Sequence, residues 1–280
     1  MYWMNFSIRA GFSWPNVPVE IPFDGSVVVL SPATAELACT ASLFDSAGVE
    51  FDEGATRLSK FLSRLAWSQG GGIEENFALG TNDLERPGRL GRGTYATSAW
   101  SDVDPWHQLY LPSPATSEAS RALALFREGM TLNSESLAFL SFFKILNVVF
   151  PNGPSQQTWI NNNLHLVKYG RAFDRLSLLR TQHDNIGEYL YVQGRCAVAH
   201  AFSTPIADPD NYYDRRRLRD DLPLIQAMAE SCIEIKLNVL TTDSFLANIR
   251  YAELLPPEYL VPTPGSNGRL RYGQYGSDVC

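Results

Sequence analysis

The chain has 280 residues, 45% of them hydrophobic and 19% charged, with a formal net charge of −7. That apolar content can bury a sizeable core, which excludes intrinsic disorder, and there is no collagen-like triplet; four cysteines in so long a chain do not make a disulfide-framed secreted module. An acidic chain is also a poor non-specific binder of polyanions.

The first fifty residues carry β-type runs at 6–12, 17–21 and 27–30, punctuated by Pro15, Pro18, Pro22 and Pro32, with Asp24-Gly25 as a turn between two of them. A helix is predicted over Phe51–Ala66, with Leu58, Phe61, Leu62 and Leu65 on one face and Asp52 and Glu53 in its first turn. Residues 68–115 are rich in Gly, Ser, Thr and Pro and read as loops with short strands at 77–79 and 108–111. A Gly-and-Arg loop, Gly88 to Gly93 with Arg89 and Arg92, suits a phosphate and equally suits an ordinary basic surface.

From Thr116 the pattern turns helical. Thr116 or Ser117 caps a helix through Arg127, and Asn133 caps a second, apolar all round, that Pro151-Asn152-Gly153-Pro154 stops. Helices follow at 156–167, 171–179 and 186–202. The longest is placed at 222–249, with Asp221 as its cap and Pro223 in its first turn. Residues 256–280 read as an extended or disordered tail. The fold class expected is α+β: a small β-containing N-terminal domain, residues 1–112, followed by an all-α bundle, residues 116–250.

No run of 18 apolar residues is present, and the N-terminus has neither a basic n-region nor a continuous apolar stretch, so the expectation is no membrane, no signal peptide and a reducing cytoplasm. Charge is uneven: residues 1–110 carry net −6 and residues 111–280 net −1. Arg215, Arg216, Arg217 and Arg219 form the densest basic run, preceded by Tyr212-Tyr213. Tyr213, Arg215, Arg216 and Arg217 are therefore candidates to stack on and clamp single-stranded RNA; the plainer reading is a solvated approach to a helix.

Phosphate loops, nucleophile elbows, H-E-x-x-H and C-x-x-C are absent. Cys196 and His200 stand four apart on one predicted helix, but two ligands do not make a zinc site, and neither a metal nor a cofactor is expected. The most informative stretch is 189–202, YLYVQGRCAVAHAF, which sets Arg195 and His200 among small apolar residues. Such groups must be paired, solvated in a cleft, or functional. On a straight α-helix their side chains point about 140° apart. They converge if Arg195 reaches around, if the helix ends near His200, or if a two-fold partner completes the site. The plain alternative pairs Arg195 with Glu188 and leaves His200 as a helix end.

Arg195-x4-His200 on a late helix of an all-α bundle resembles the HEPN superfamily. An earlier aromatic core helix (FLSFFKIL), the string GRCAVAHA and a long final helix extend the likeness over residues 116–250. With its β-rich first part, the chain is similar to the ApeA-like branch and to the methylamine-utilisation J-type proteins. The resemblance implies a homodimer through the bundle and a metal-independent endoribonuclease, hydrolase-like and of a defence or toxin-like kind. In it, the Arg and His of both protomers line one cleft and the ribose 2′-OH attacks the adjacent phosphodiester. His200 would move the proton and Arg195 would hold the phosphate. The N-terminal part would receive a protein partner or trigger. Active members carry a polar residue after the Arg, where this chain has Cys196, a weak hydrogen-bonding group. The alternatives are thus a non-catalytic dimer binding RNA, a nucleotide or a protein, and an accessory protein of a metabolic operon, which the net charge favours.

Overall fold

The computed structural model describes residues 2–34, 37–45, 50–81, 106–200, 205–250, 256–264 and 269–274. It divides into two compact units, one of residues 1–113 with 242–280, the other of residues 114–241. The loop at 88–93 lies outside the described residues.

The first unit is built on a seven-stranded sheet. Its strands are β1 (Tyr2–Ala10), β2 (Val19–Phe23), β3 (Ser26–Ser31), β4 (Thr40–Asp45), β5 (Ile73–Thr81), β6 (Leu260–Pro264) and β7 (Leu270–Gln274). The order is β5-β1-β4-β3-β2-β7-β6, antiparallel except between β2 and β7. Asp24 and Gly25 make the β2–β3 turn, both with positive φ (46° and 74°), as a tight hairpin requires. Alternation places Val19, Ile21 and Phe23 of β2 in the core. They meet Leu58, Phe61, Leu62 and Leu65 of helix α1 (Phe51–Gln69). Gly70, left-handed at φ 63°, caps α1 by donating its N–H to Ala66 and Trp67.

The C-terminal stretch differs from the tail read in the sequence. Described residues 260–264 and 270–274 are strands, and Leu260 and Tyr272 are buried. Pro262 and Pro264 suggest irregular chain, but β6 is the edge strand, where a missing N–H breaks no ladder. Arg269 and Arg271 reach Glu20 of β2 at 3.2 and 3.3 Å, a contact between residues about as far apart in sequence as the chain allows.

The second unit is helical: α2 (Ser117–Thr131), α3 (Glu135–Val149), α4 (Gly153–Asn163), α5 (Gly170–Arg180), α6 (Ile186–Tyr189), α7 (Ala197–Ala199) and α8 (Tyr212–Leu237). Thr116 caps α2 by accepting from the Ala119 N–H; Ser134, one residue beyond the expected Asn133, caps α3. Phe139, Phe142 and Phe143 of α3 form the core with Phe126 of α2 and Leu224, Ile225, Met228 and Cys232 of α8. Leu137 is half exposed, so α3 keeps one solvent edge.

α8 begins ten residues earlier than its apolar pattern suggests. Asn211 caps it, and Pro223, read as a first-turn residue, sits inside it. The proline removes one N–H from the helix ladder, which α8 absorbs. The helix also stops early. Asn238 turns left-handed at φ 54°, and the N–H and hydroxyl of Thr241 donate to Glu234. The predicted 222–249 helix is therefore two, and the second, α9 (Thr242–Ile249), belongs to the first unit, ending the bundle at 241 instead of 250. Among the described residues no single helix is long and apolar enough to cross a membrane.

Candidate functional site

Between α6 and α7 the chain runs as a π-helix, Leu190–Cys196. Its entry is fixed on α4. Asn185 caps α6 by accepting from the Glu188 N–H at 3.0 Å, and Asn161 accepts from the Gly187 N–H at 2.8 Å. A Cβ at Gly187 would strike the Gln157 carbonyl, so the two backbones meet closely. Further along, Gly194 lies against the Phe139 ring with no space for a side chain. Gly194→Ala is expected to cost about 1–3 kcal/mol, the range for overpacking a filled core. Urea unfolding checks this, with Gly273→Ala, which faces open space, as the neutral comparison.

A π turn, closed by i→i+5 hydrogen bonds, holds more residues per turn than an α turn. Arg195 lies in this π segment, and the α turn Ala197–Ala199 separates it from His200. The helix then ends: the His200 N–H donates to the Cys196 carbonyl at 3.1 Å, and His200 itself is extended, φ −124° and ψ 120°. This end of the helix, and the length of the arginine side chain, bring Arg195 Nη1 to 3.3 Å from His200 Nε2. A guanidinium only donates, so a hydrogen bond between the two has Nε2 as its acceptor. Glu188, the expected partner of Arg195, instead accepts from the Asn185 side chain at 3.2 Å.

Cys196 and Tyr191 complete the cluster. Arg195 Nη1 is 3.8 Å from the Cys196 sulfur, and the guanidinium lies 5.7 Å from the Tyr191 ring centroid. Burial, then the neighbouring Cys196, holds the Tyr191 hydroxyl above its ordinary value, and Arg195 opposes them. The guanidinium contacts both Cys196 and His200, so the pair is organised around a cation of the protein's own. Among the described residues no three His, Cys, Asp or Glu side chains converge as metal ligands.

The basic run divides. Tyr213, 81% exposed, and Arg215 and Arg216 are in the solvated first turns of α8, Arg216 in an exposed ion pair with Asp220 at 3.9 Å. Arg217 turns inward and donates to the Gln193 carbonyl at 2.6 Å.

One buried cluster escaped the sequence reading. Asp221, expected as a cap, is fully buried inside α8. Its carboxylate accepts from Arg175 at 2.8 Å and from the Tyr189 hydroxyl at 2.9 Å, and lies 3.9 Å from Arg217. Burial pushes this carboxyl above its ordinary value while Arg175, Tyr189 and Arg217 pull it down. Tyr189 is raised, by burial and then by the charge of Asp221, and so stays a donor. The signal was present: Asp221 falls on the apolar stripe of Leu218, Ile225 and Met228, where a charge must be paired.

Burial raises the Cys39 thiol, and raises Cys232 to about 12. Iodoacetamide at pH 8 is expected to label Cys196 before Cys39 and Cys232 in the native protein, since a thiol reacts as its thiolate. Peptide mapping against labelling time checks the order.

Residues 122–234 match the family model of methylamine utilization protein MauJ. The match covers less than half of the chain, lies within the helical unit and includes Arg195, Cys196 and His200. No curated protein and no solved structure matches the chain.

Proposed function

We propose that the helical unit is of the HEPN type and that Arg195 and His200 form the cleavage site of a metal-independent endoribonuclease, completed by a second copy of the chain across a two-fold axis. The observation that carries this reading is the 3.3 Å approach of Arg195 Nη1 to His200 Nε2 at the open end of a helix. An imidazole nitrogen beside a guanidinium is the pair that 2′-OH attack needs. Nε2 takes the proton from the ribose 2′-OH, the oxygen bonds to the adjacent phosphorus, and the bond to the 5′-oxygen breaks. The leaving oxygen takes a proton from the second protomer's His200, which must enter the step as the imidazolium with its Nε2 turned from Arg195; the proton gained by the first His200 leaves the pair with the roles exchanged. Arg195 swings from Nε2 to the non-bridging oxygens as their charge grows. The products are a 2′,3′-cyclic phosphate and a 5′-hydroxyl. Tyr213, Arg215 and Arg216 are the residues this reading assigns to contact with the strand.

The test is cleavage of a mixed RNA pool in EDTA, with analysis of the ends. Cyclic phosphate ends, and resistance of a substrate with 2′-deoxyribose at the scissile position, support the reading. Products from the deoxy substrate would refute it. A second reading, an accessory protein without catalysis in a cytoplasmic metabolic system, is favoured by the MauJ-type match and by the thiol of Cys196 beside the pair. It predicts no cleavage by any form of the protein.

A further inference from the structure

Arg217 stands apart from the other basic residues of α8. Its side chain is 23% exposed, against 63% for Arg216. It donates to the Gln193 carbonyl and is paired with Asp214 at 3.8 Å and Asp221 at 3.9 Å. Gln193 lies inside the π segment, two residues before Arg195. A phosphate contact would require Arg217 to leave a carbonyl and two carboxylates together, whereas a charge-assisted bond of 2.6 Å to a helix carbonyl is among the stronger hydrogen bonds available.

Asp221 ties the arrangement together. It receives the hydroxyl of Tyr189, the residue just before the π segment, and it orients Arg217, which holds the carbonyl of Gln193. One buried carboxylate is thus bonded to the residue before the segment and paired with the arginine that holds its middle. Arg175, from α5, fixes that carboxylate from the other side and also reaches the Tyr189 hydroxyl at 3.3 Å.

We propose that Arg217, paired with Asp221, is a positioning residue that holds the π segment carrying Arg195 and thereby sets the approach of Arg195 to His200, and that it is not a contact for RNA. Its role in cleavage rests on the function proposed above; its role in the geometry of the pair does not.

The experiment uses the full chain labelled with 15N-histidine. The imidazole nitrogens of His200 are assigned by the signals lost in His200→Ala. Arg195→Met, which removes the donor to Nε2, marks the shift of a broken pair. Arg217→Met is expected to move the Nε2 signal in the direction of Arg195→Met, and Arg217→Lys part of the way. Arg180→Met, a charge removed elsewhere, leaves it in place. In cleavage assays Arg217→Met is expected to lower kcat about 100-fold, the cost of roughly an ångström of misplacement, with KM and its salt dependence unchanged. Unmoved imidazole signals in Arg217→Met would overturn the proposal. So would an unchanged kcat with a raised KM and a shallower salt dependence, the signature of a phosphate contact. If no form cleaves RNA, the ribonuclease reading fails and the imidazole signals alone decide the role of Arg217. If Arg217→Met does not fold, Arg217→Lys carries the same two outcomes.

Discussion

Alanine at His200 is expected to lower kcat for RNA cleavage in EDTA by about 100- to 10,000-fold, the range for loss of a positioned acid–base group. Alanine at Arg195 should cost about 100- to 1,000-fold, the range for loss of one donor to a developing oxyanion. Lysine at 195 keeps the charge but not the planar fork, so it should recover only part of that loss. The two residues touch and would act in one step, so the double variant should be little worse than His200→Ala alone. Single-turnover assays on a fluorescent RNA separate these effects from binding. Both side chains are only partly buried, so melting temperatures close to wild type are expected. Wild-type cleavage by His200→Ala would remove the assignment of the site.

Asp221→Ala should produce the largest stability loss in the helical unit, about 3–5 kcal/mol in urea unfolding, the cost of stranding buried charge. The carboxylate is fully buried, and its removal leaves Arg175 and the Tyr189 hydroxyl without their acceptor. Asp221→Asn keeps an acceptor and should cost less. The size of this loss does not mean that the ion pair is strongly favourable in itself, because burial opposes the charged form. Burial lifts the Asp221 carboxyl above its ordinary value of 3.8, so the folded chain holds this proton where the unfolded chain has released it. The contribution of the group is therefore fully present below the unfolded value and falls as pH rises through the folded one. That segment of the stability–pH curve should be absent from Asp221→Asn.

The local features were legible because they depend on near neighbours. Asp24-Gly25 reads as a hairpin turn, Leu58, Phe61, Leu62 and Leu65 as one helix face, and Thr116 as a cap, since each is decided within a turn or two of chain. The α+β class follows from the same periodicities. The nomination of Arg195 and His200 also came from sequence: two polar groups in a small, apolar run require an explanation.

Other features were not legible, and in each case a distant residue decides. Pro262 and Pro264 join a sheet because their strand lies at its edge, beside a strand held to Glu20. Pro223 reads as a helix start, yet Asn211 opens α8 and the packing of Leu218 and Leu224 carries the helix through it. Arg217 looks like a surface cation among surface cations, and its partner, the carbonyl of Gln193, is 24 positions away. On straight-helix geometry Arg195 and His200 point apart. Their meeting depends on the end of the helix at His200, and the setting of the π segment that carries Arg195 — Gly194 against Phe139, Tyr189 and Arg217 on Asp221 — comes from residues of other helices. By itself, then, the sequence determined which residues are chemically unusual and the class of fold that holds them. Only the tertiary structure decided which of them touch, because where a helix ends and what holds it there are set by packing that no local pattern records.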